Sequence, residues 1–137
     1  MKPTRFYSFP ERTNINTVDW YDICSHEKLS EEFITQYAAK VDWLLISYRQ
    51  KLSEEFIAKY ADKVEWSGIS YYQKLSEEFI EKYAVNVNWN GISYRQKLSE
   101  KFITQYADKV YWDDISRYQE LSEKFRAKHI LGNRNPL

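Results

Sequence analysis

Val41-Asp42-Trp43-Leu44-Leu45-Ile46-Ser47-Tyr48-Arg49-Gln50-Lys51-Leu52-Ser53-Glu54-Glu55-Phe56-Ile57 is the stretch from which the rest of this chain can be read. Its opening Val-x-Trp recurs at Val18, Val64, Val87 and Val110, so that successive copies stand 23 residues apart. With Val as position 1, five copies cover residues 18 to about 132. Trp fills position 3 in every copy (Trp20, Trp43, Trp66, Trp89, Trp112), and Ile fills position 6 (Ile23, Ile46, Ile69, Ile92, Ile115). Leu-Ser-Glu fills positions 12–14 and Phe position 16, while Tyr holds position 20 until His129 replaces it in the last copy. Self-similarity at a fixed period of this length is the signature of a repeat array.

Each copy reads as two short helices. Ser at position 13 suits an N-cap, its oxygen accepting a free backbone N–H, and the Glu after it suits the positive end of the helix dipole. Leu at position 12 and Ile at position 17 then form a hydrophobic staple, as Leu52 and Ile57 do. Leu52, Phe56 and Tyr60 recur every four residues and make the apolar stripe of a second helix. Positions 3–11, Trp43 to Lys51 in the quoted copy, contain no Pro and form the first helix. Helices of about ten residues are marginal alone, and neighbours must stabilise them by stacking. The expected fold is therefore all-α, an α-solenoid of five helix–turn–helix repeats of 23 residues.

The flanks differ. Residues 1–17 do not match the repeat; Phe6, Tyr7 and Phe9, broken by Pro3 and Pro10, either fold back over the first copy's open edge or stay disordered. At the other end Lys124, Arg126 and His129 make the last copy more polar, as a terminal cap needs. Ile130-Leu131-Gly132-Asn133 reads as a helix end with Gly past it, followed by a loose tail over 133–137.

Comparing the copies with one another sorts the first helix. On a helical wheel positions 3, 6, 7 and 10 fall within roughly 100° of each other, and positions 4, 5, 8 and 9 fall opposite. The former are uniform: Trp, Ile, Ser (Cys24 in the first copy) and Gln (Glu27 in the first). The Gln column is expected to hydrogen-bond backbone at the helix–helix turn or the next Gln, since a buried amide must find partners. Ser at position 7 is expected to let helices approach closely. The opposite columns vary and are rich in Tyr and Arg, which anchor protein interfaces. They make Leu44, Leu45, Tyr48, Arg49, Tyr71, Tyr72, Tyr94, Arg95, Arg117 and Tyr118 the candidate partner-binding residues. Aligned across five copies they would form a ribbon about 40–50 Å long at 8–10 Å per helix. Leu44-Leu45, read as two exposed leucines, needs a cover. The alternative is that these columns vary because solvated positions are unrestrained.

Composition narrows the function classes. The 137 residues hold 20 Lys+Arg and 20 Asp+Glu, and this zero net charge argues against a generic nucleic-acid or anionic-membrane binder. Cys24, the one cysteine, excludes an internal disulfide and a thiolate metal site. No apolar run approaches the roughly 18 residues of a membrane span, and the first ten residues lack a signal peptide's apolar stretch. Gly68, Gly91 and Gly132 are isolated and form no phosphate loop. His26 and His129 have no second ligand at helical spacing, and Cys24 and His26 lie two apart on a helix and cannot easily pair. Paired acids such as Glu54-Glu55 read as dipole-answering first turns. No cofactor, metal or catalytic residue is expected.

The unit Val-x-Trp-x-x-Ile-Ser-x-x-Gln-Lys-Leu-Ser-Glu-x-Phe-Ile, complete in residues 41–57, resembles short repeats of tandem-repeat proteins from giant DNA viruses of protists. The likeness covers Val18 to His129. It implies an α-helical repeat protein made in an infected cell, in the host cytoplasm, and supplies neither a catalytic residue nor a ligand. The expected function is a non-enzymatic scaffold binding a partner protein through the variable face. The alternatives are a self-assembling structural protein and, with less support, an RNA-reading repeat using Tyr and Arg to stack bases.

Overall fold

Five serines start the second helices as their spacing predicts. In a computed structural model that describes residues 5–131, the side-chain oxygens of Ser30, Ser53, Ser76, Ser99 and Ser122 each accept from the backbone N–H three residues on. The fold is all-α and of the helical-repeat, α-solenoid class, with two helices per 23-residue repeat. The first helices are α1 (Trp20–His26), α3 (Trp43–Arg49), α5 (Trp66–Tyr72), α7 (Trp89–Arg95) and α9 (Trp112–Tyr118). The second are α2 (Glu31–Gln36), α4 (Glu54–Lys59), α6 (Glu77–Lys82), α8 (Glu100–Gln105) and α10 (Glu123–Arg126). The expected helix end at Gly132, the tail 133–137 and Pro3 of the leader lie outside the described residues.

First helices stop at position 9 rather than 11. Gln50 already has extended backbone (φ −95°, ψ 149°). The chain must straighten here to present the next Ser as an N-cap, whose own backbone is extended. The opening caps come from position 2, which sequence reasoning passed over: Asp19, Asp42 and Asn88 accept backbone N–H groups of the first turn.

The chain divides into two units, residues 1–69 and 70–137, and the division falls inside α5. In the first unit α1 packs on α3. Gln50 fastens them. Its Oε1 accepts from the Leu29 N–H at 2.9 Å, and its Nε2 donates to the carbonyls of Cys24 (3.0 Å) and Glu27 (2.8 Å). One amide thus closes the helix–helix turn of the preceding repeat, the backbone bond expected of this column. Ser47 does more than leave room. Its Oγ donates to the Trp43 carbonyl at 2.7 Å and accepts the Glu65 N–H of the following repeat at 2.9 Å. Glu31 reaches forward too, its carboxylate accepting from the N–H (2.6 Å) and hydroxyl (3.0 Å) of Ser53. Trp43 stacks on Phe56 and lies tilted against Tyr60 of its own repeat while its indole N–H donates back to the Ala38 carbonyl. The leader lies on the first repeat: Phe9 contacts Trp20, Phe33 and Tyr37, and the Tyr7 N–H donates to the Lys28 carbonyl at 2.7 Å.

The second unit repeats these links. Gln96 binds Leu75 N–H and the carbonyls of Ser70 and Gln73; Gln119 binds Leu98 N–H and the carbonyls of Ser93 and Gln96. Ser70 and Ser93 accept the N–H groups of Asn88 and Tyr111, and Glu77 and Glu100 hold Ser99 and Ser122. The isoleucines at positions 6 and 17 of this unit, Ile80, Ile92, Ile103 and Ile115, are fully buried.

The exceptions in the terminal copies follow from these links. A Gln at position 10 acts on the repeat before it, and the first repeat has none before it, so Glu27 is exposed there. At the other end, the carbonyls of Ser70 and Ser93 are met by the next repeat's Gln, but after Ser116 the register breaks, with Asn133-Arg134-Asn135 where Val-x-Trp would stand. Arg126 replaces the staple isoleucine and donates to the Ser116 carbonyl at 3.0 Å. The chain carries its own substitute for the missing neighbour. His129 keeps the aromatic column, stacked on Trp112 at an interplanar angle of 10° within the closing π-turn Ala127–Leu131. Arg126→Ala is expected to cost about 1.5 kcal/mol, the low end for a partly buried hydrogen bond from a charged donor. In a repeat array that loss stays local. Amide exchange should accelerate in α9 and α10 and stay unchanged in α1–α4; a uniform change would refute the end-cap role.

Candidate functional site

The wheel placed positions 4, 5, 8 and 9 outward, and position 5 needs correction. Leu45 is buried, 7% exposed, as are Gly68 and Gly91; Leu44 alone of the leucine pair is open, at 51%. An inner first helix is flanked by the first helices of its neighbours, so more than one stripe of it is covered. Position 8 of one repeat meets position 5 of the next. A Cβ on Gly68 would come within 2.6 Å of the Tyr48 ring, and one on Gly91 within 2.8 Å of the Tyr71 ring. Glycine is needed there because a tyrosine fills its side-chain space. The first junction reverses the sizes, with Ser25 at position 8 and Leu45 at position 5. Part of the variation read as drift or recognition is therefore matched volume. The Ser25 Oγ is buried without a hydrogen-bond partner. Ser25→Ala should raise stability by about 0.5–1 kcal/mol, since an unsatisfied buried hydroxyl disappears; a loss in urea titrations would show that the oxygen has a partner.

What remains outward is more compact than the expected ribbon. In the second unit Tyr71 contacts Tyr72 (6.3 Å between ring centres) and Tyr94 (6.2 Å, edge-on), and Tyr94 contacts Tyr118 at 4.6 Å, also edge-on. The Arg95 guanidinium lies 4.9 Å from the Tyr94 ring centre and 5.9 Å from that of Tyr72. Tyr72 and Tyr118 are more than half exposed, 56% and 52%, while Tyr71 and Tyr94 are half-buried beneath them. The Tyr71 hydroxyl donates to Asn90 Oδ1, and Asn90 Nδ2 donates to Asp114 at 2.7 Å, which fixes the base of the cluster. Arg117 is exposed beside Asp113 and Asp114 in a shallow hollow with Tyr111. In the first unit Tyr48 is half-buried and Leu44 and Arg49 are exposed, with Tyr21 open at 66%.

Sequence reasoning missed the lysines. Position 11 is Lys in four copies (Lys28, Lys51, Lys74, Lys97), and all four are exposed. This column is uniform without being buried, so sameness between copies does not by itself mark the core. Lys74, Arg95 and Lys97 line one hollow of about 360 Å³ together with Tyr71, Tyr72 and Leu75. Two grooves along the second helices carry mainly the opposite sign, with Glu31, Glu32 and Glu55 beside Lys59 in the first unit and Glu77, Glu78 and Glu81 beside Lys101 in the second.

Residues weighed for chemistry are separated. Cys24 is fully buried, and desolvation pushes its thiol above the ordinary value despite a hydrogen bond from the Asp42 backbone. A protonated, enclosed thiol is a poor nucleophile. His26 is exposed and its Nδ1 lies 3.1 Å from the Asp22 carboxylate. No group of three or more His, Cys, Asp or Glu among the described residues could hold a metal ion, and none of their helices is long and apolar enough to cross a membrane. Comparison with protein-family models, with curated proteins and with solved structures finds no match to this chain.

Proposed function

We propose that this protein is a non-enzymatic repeat scaffold that holds a partner protein against the outward side of its first helices. The observation that carries this reading is the joined cluster Tyr71, Tyr72, Tyr94, Arg95 and Tyr118, open at its top through Tyr72 and Tyr118, whereas the repeat-column rings are buried (Phe) or half-buried (Trp and Tyr). Tyr and Arg give large contact area for little side-chain entropy, and here their rotamers are already restrained by one another. Arg117 borders the cluster, and Leu44, Tyr48 and Arg49 offer a smaller surface in the first unit. The likeness to viral tandem repeats suits a scaffold working in the cytoplasm of an infected cell. Self-assembly by end stacking has less support, because Arg126 already occupies the carbonyl that a further repeat would bind.

Site-specific photocrosslinking tests this reading. A photoreactive residue at position 72 or 118 should yield discrete protein adducts in the producing cells, and one at position 82 or 105, on second helices, should not. Adducts confined to the second helices, or identical from both faces, would sink the proposal.

A further inference from the structure

We propose that the hollow lined by Lys74, Arg95 and Lys97 receives an acidic peptide segment of the partner, a proposal that rests on the scaffold reading above. Three cations converge on this hollow and no carboxylate lines it. Three other hollows of the same unit pair their cations with acids: Glu100 stands beside Lys101, Lys124 and Lys128 between α8 and α10, Glu77, Glu78 and Glu81 beside Lys101 along α6, and Asp113 and Asp114 beside Arg117 at α9.

The ordinary explanation for basic residues at this place is the helix dipole, which favours cations at helix C-termini. Two carbonyls at each of these ends are already met by a glutamine of the next repeat. Gln96 donates to those of Ser70 and Gln73, and Gln119 to those of Ser93 and Gln96. The side chains of Lys74, Arg95 and Lys97 donate no hydrogen bond and make no ion pair among the described residues. Arg95 is instead held over the Tyr72 and Tyr94 rings, which restrain the guanidinium and leave its N–H edge for a ligand. A restrained guanidinium takes a carboxylate through two parallel N–H···O bonds. The lysines on either side add point charges for a second and third acid, and the exposed Tyr72 ring offers apolar contact between them. Such Arg-centred basic clusters are a recurring way of recognising acidic motifs. The chain's overall neutrality does not conflict, because the acids compensating these cations lie on the second-helix grooves.

The test uses the full chain and defined probes: a fluorescent Asp/Glu-rich peptide carrying one Leu, the same peptide with Asn/Gln at every acid, and a single-stranded RNA oligomer. Anisotropy should show the acidic peptide binding at low salt and weakening steeply as salt rises, with the amide peptide at least about tenfold weaker. The triple variant Lys74→Glu/Arg95→Glu/Lys97→Glu should lose the acidic peptide while keeping its circular dichroism and melting curve, since all three side chains are exposed. Equal binding of the amide peptide, retention by the triple variant, or binding of RNA but not of acidic peptide would overturn the proposal. Photocrosslinks from position 72 that persist in the triple variant would leave the scaffold reading standing and remove the acidic segment. Loss of crosslinks from positions 72 and 118 in the unaltered chain removes both.

Discussion

Gln96→Leu lowers stability by at least about 3 kcal/mol, while Glu27→Leu, the same repeat position in the first copy, changes it by less than about 0.5 kcal/mol. The side chains are similar in volume, so the loss is not a cavity effect. In native protein the Gln96 amide meets the Leu75 N–H at 2.9 Å and the carbonyls of Ser70 and Gln73 at 2.9 and 2.7 Å, all three bonds buried. A leucine removes one acceptor and two donors from backbone that water does not reach. Each group stranded in this way costs no less than about 1 kcal/mol. Glu27 has no preceding turn to close and its side chain is exposed, so leucine there disturbs nothing. Urea unfolding of both variants, with m-values compared so that a change of cooperativity is recognised, gives the result directly. Similar losses at both positions would mean that the column acts through helix propensity rather than through the preceding repeat.

The second large effect is a pair that cancels. Gly91→Leu should cost about 3 kcal/mol, at the upper end for overpacking, because its Cβ alone would stand 2.8 Å from the Tyr71 ring and 3.0 Å from the Ser70 Cβ. Tyr71→Ser should cost about 2 kcal/mol through an emptied space and a lost bond to Asn90. The double variant restores the arrangement of the first junction, Ser25 beside Leu45, and should be more stable than the sum of the singles by about 2 kcal/mol. Additivity in the cycle would sink the claim that positions 8 and 5 of successive repeats share one volume. If Gly91→Leu does not fold, Gly91→Ala supplies the same cycle at smaller amplitude.

Both results bear on how a repeat sequence should be read. The Ser caps were legible because capping is local: hydroxyl and N–H lie three residues apart, and the spacing is written in the chain. The Gln column was legible as a buried hydrogen-bonding group, although not which backbone it closes, since Gln50 reaches Leu29 across 21 residues. The Glu at position 14 was read as answering its own helix dipole, yet Glu31, Glu77 and Glu100 each hold the cap serine of the next repeat. The candidate surface was half legible. Tyr72, Arg95, Tyr118 and Leu44 are open as the wheel implied, whereas Leu45 is covered and Tyr48, Tyr71 and Tyr94 are half-covered. A wheel divides a helix into two faces, but an inner helix here has neighbours on more than one side.

What the sequence determined by itself is the repeat, its period, the two helices within it, their serine caps and the columns of Trp, Ile and Phe that build the core. Those follow from forces acting over a few residues or from the plain need to bury apolar side chains. Only the tertiary structure decided the partners at 10 to 26 residues' separation: which turn a Gln closes, why Glu27 is excused, why Arg126 closes the last described repeat and why glycine faces tyrosine. It also brought Lys74, Arg95 and Lys97 around one hollow, a convergence that a list of columns does not contain. The physical reason is the same throughout: hydrogen bonds and steric exclusion act over a few ångströms of space, and the period of a sequence does not say which atoms its copies bring that close.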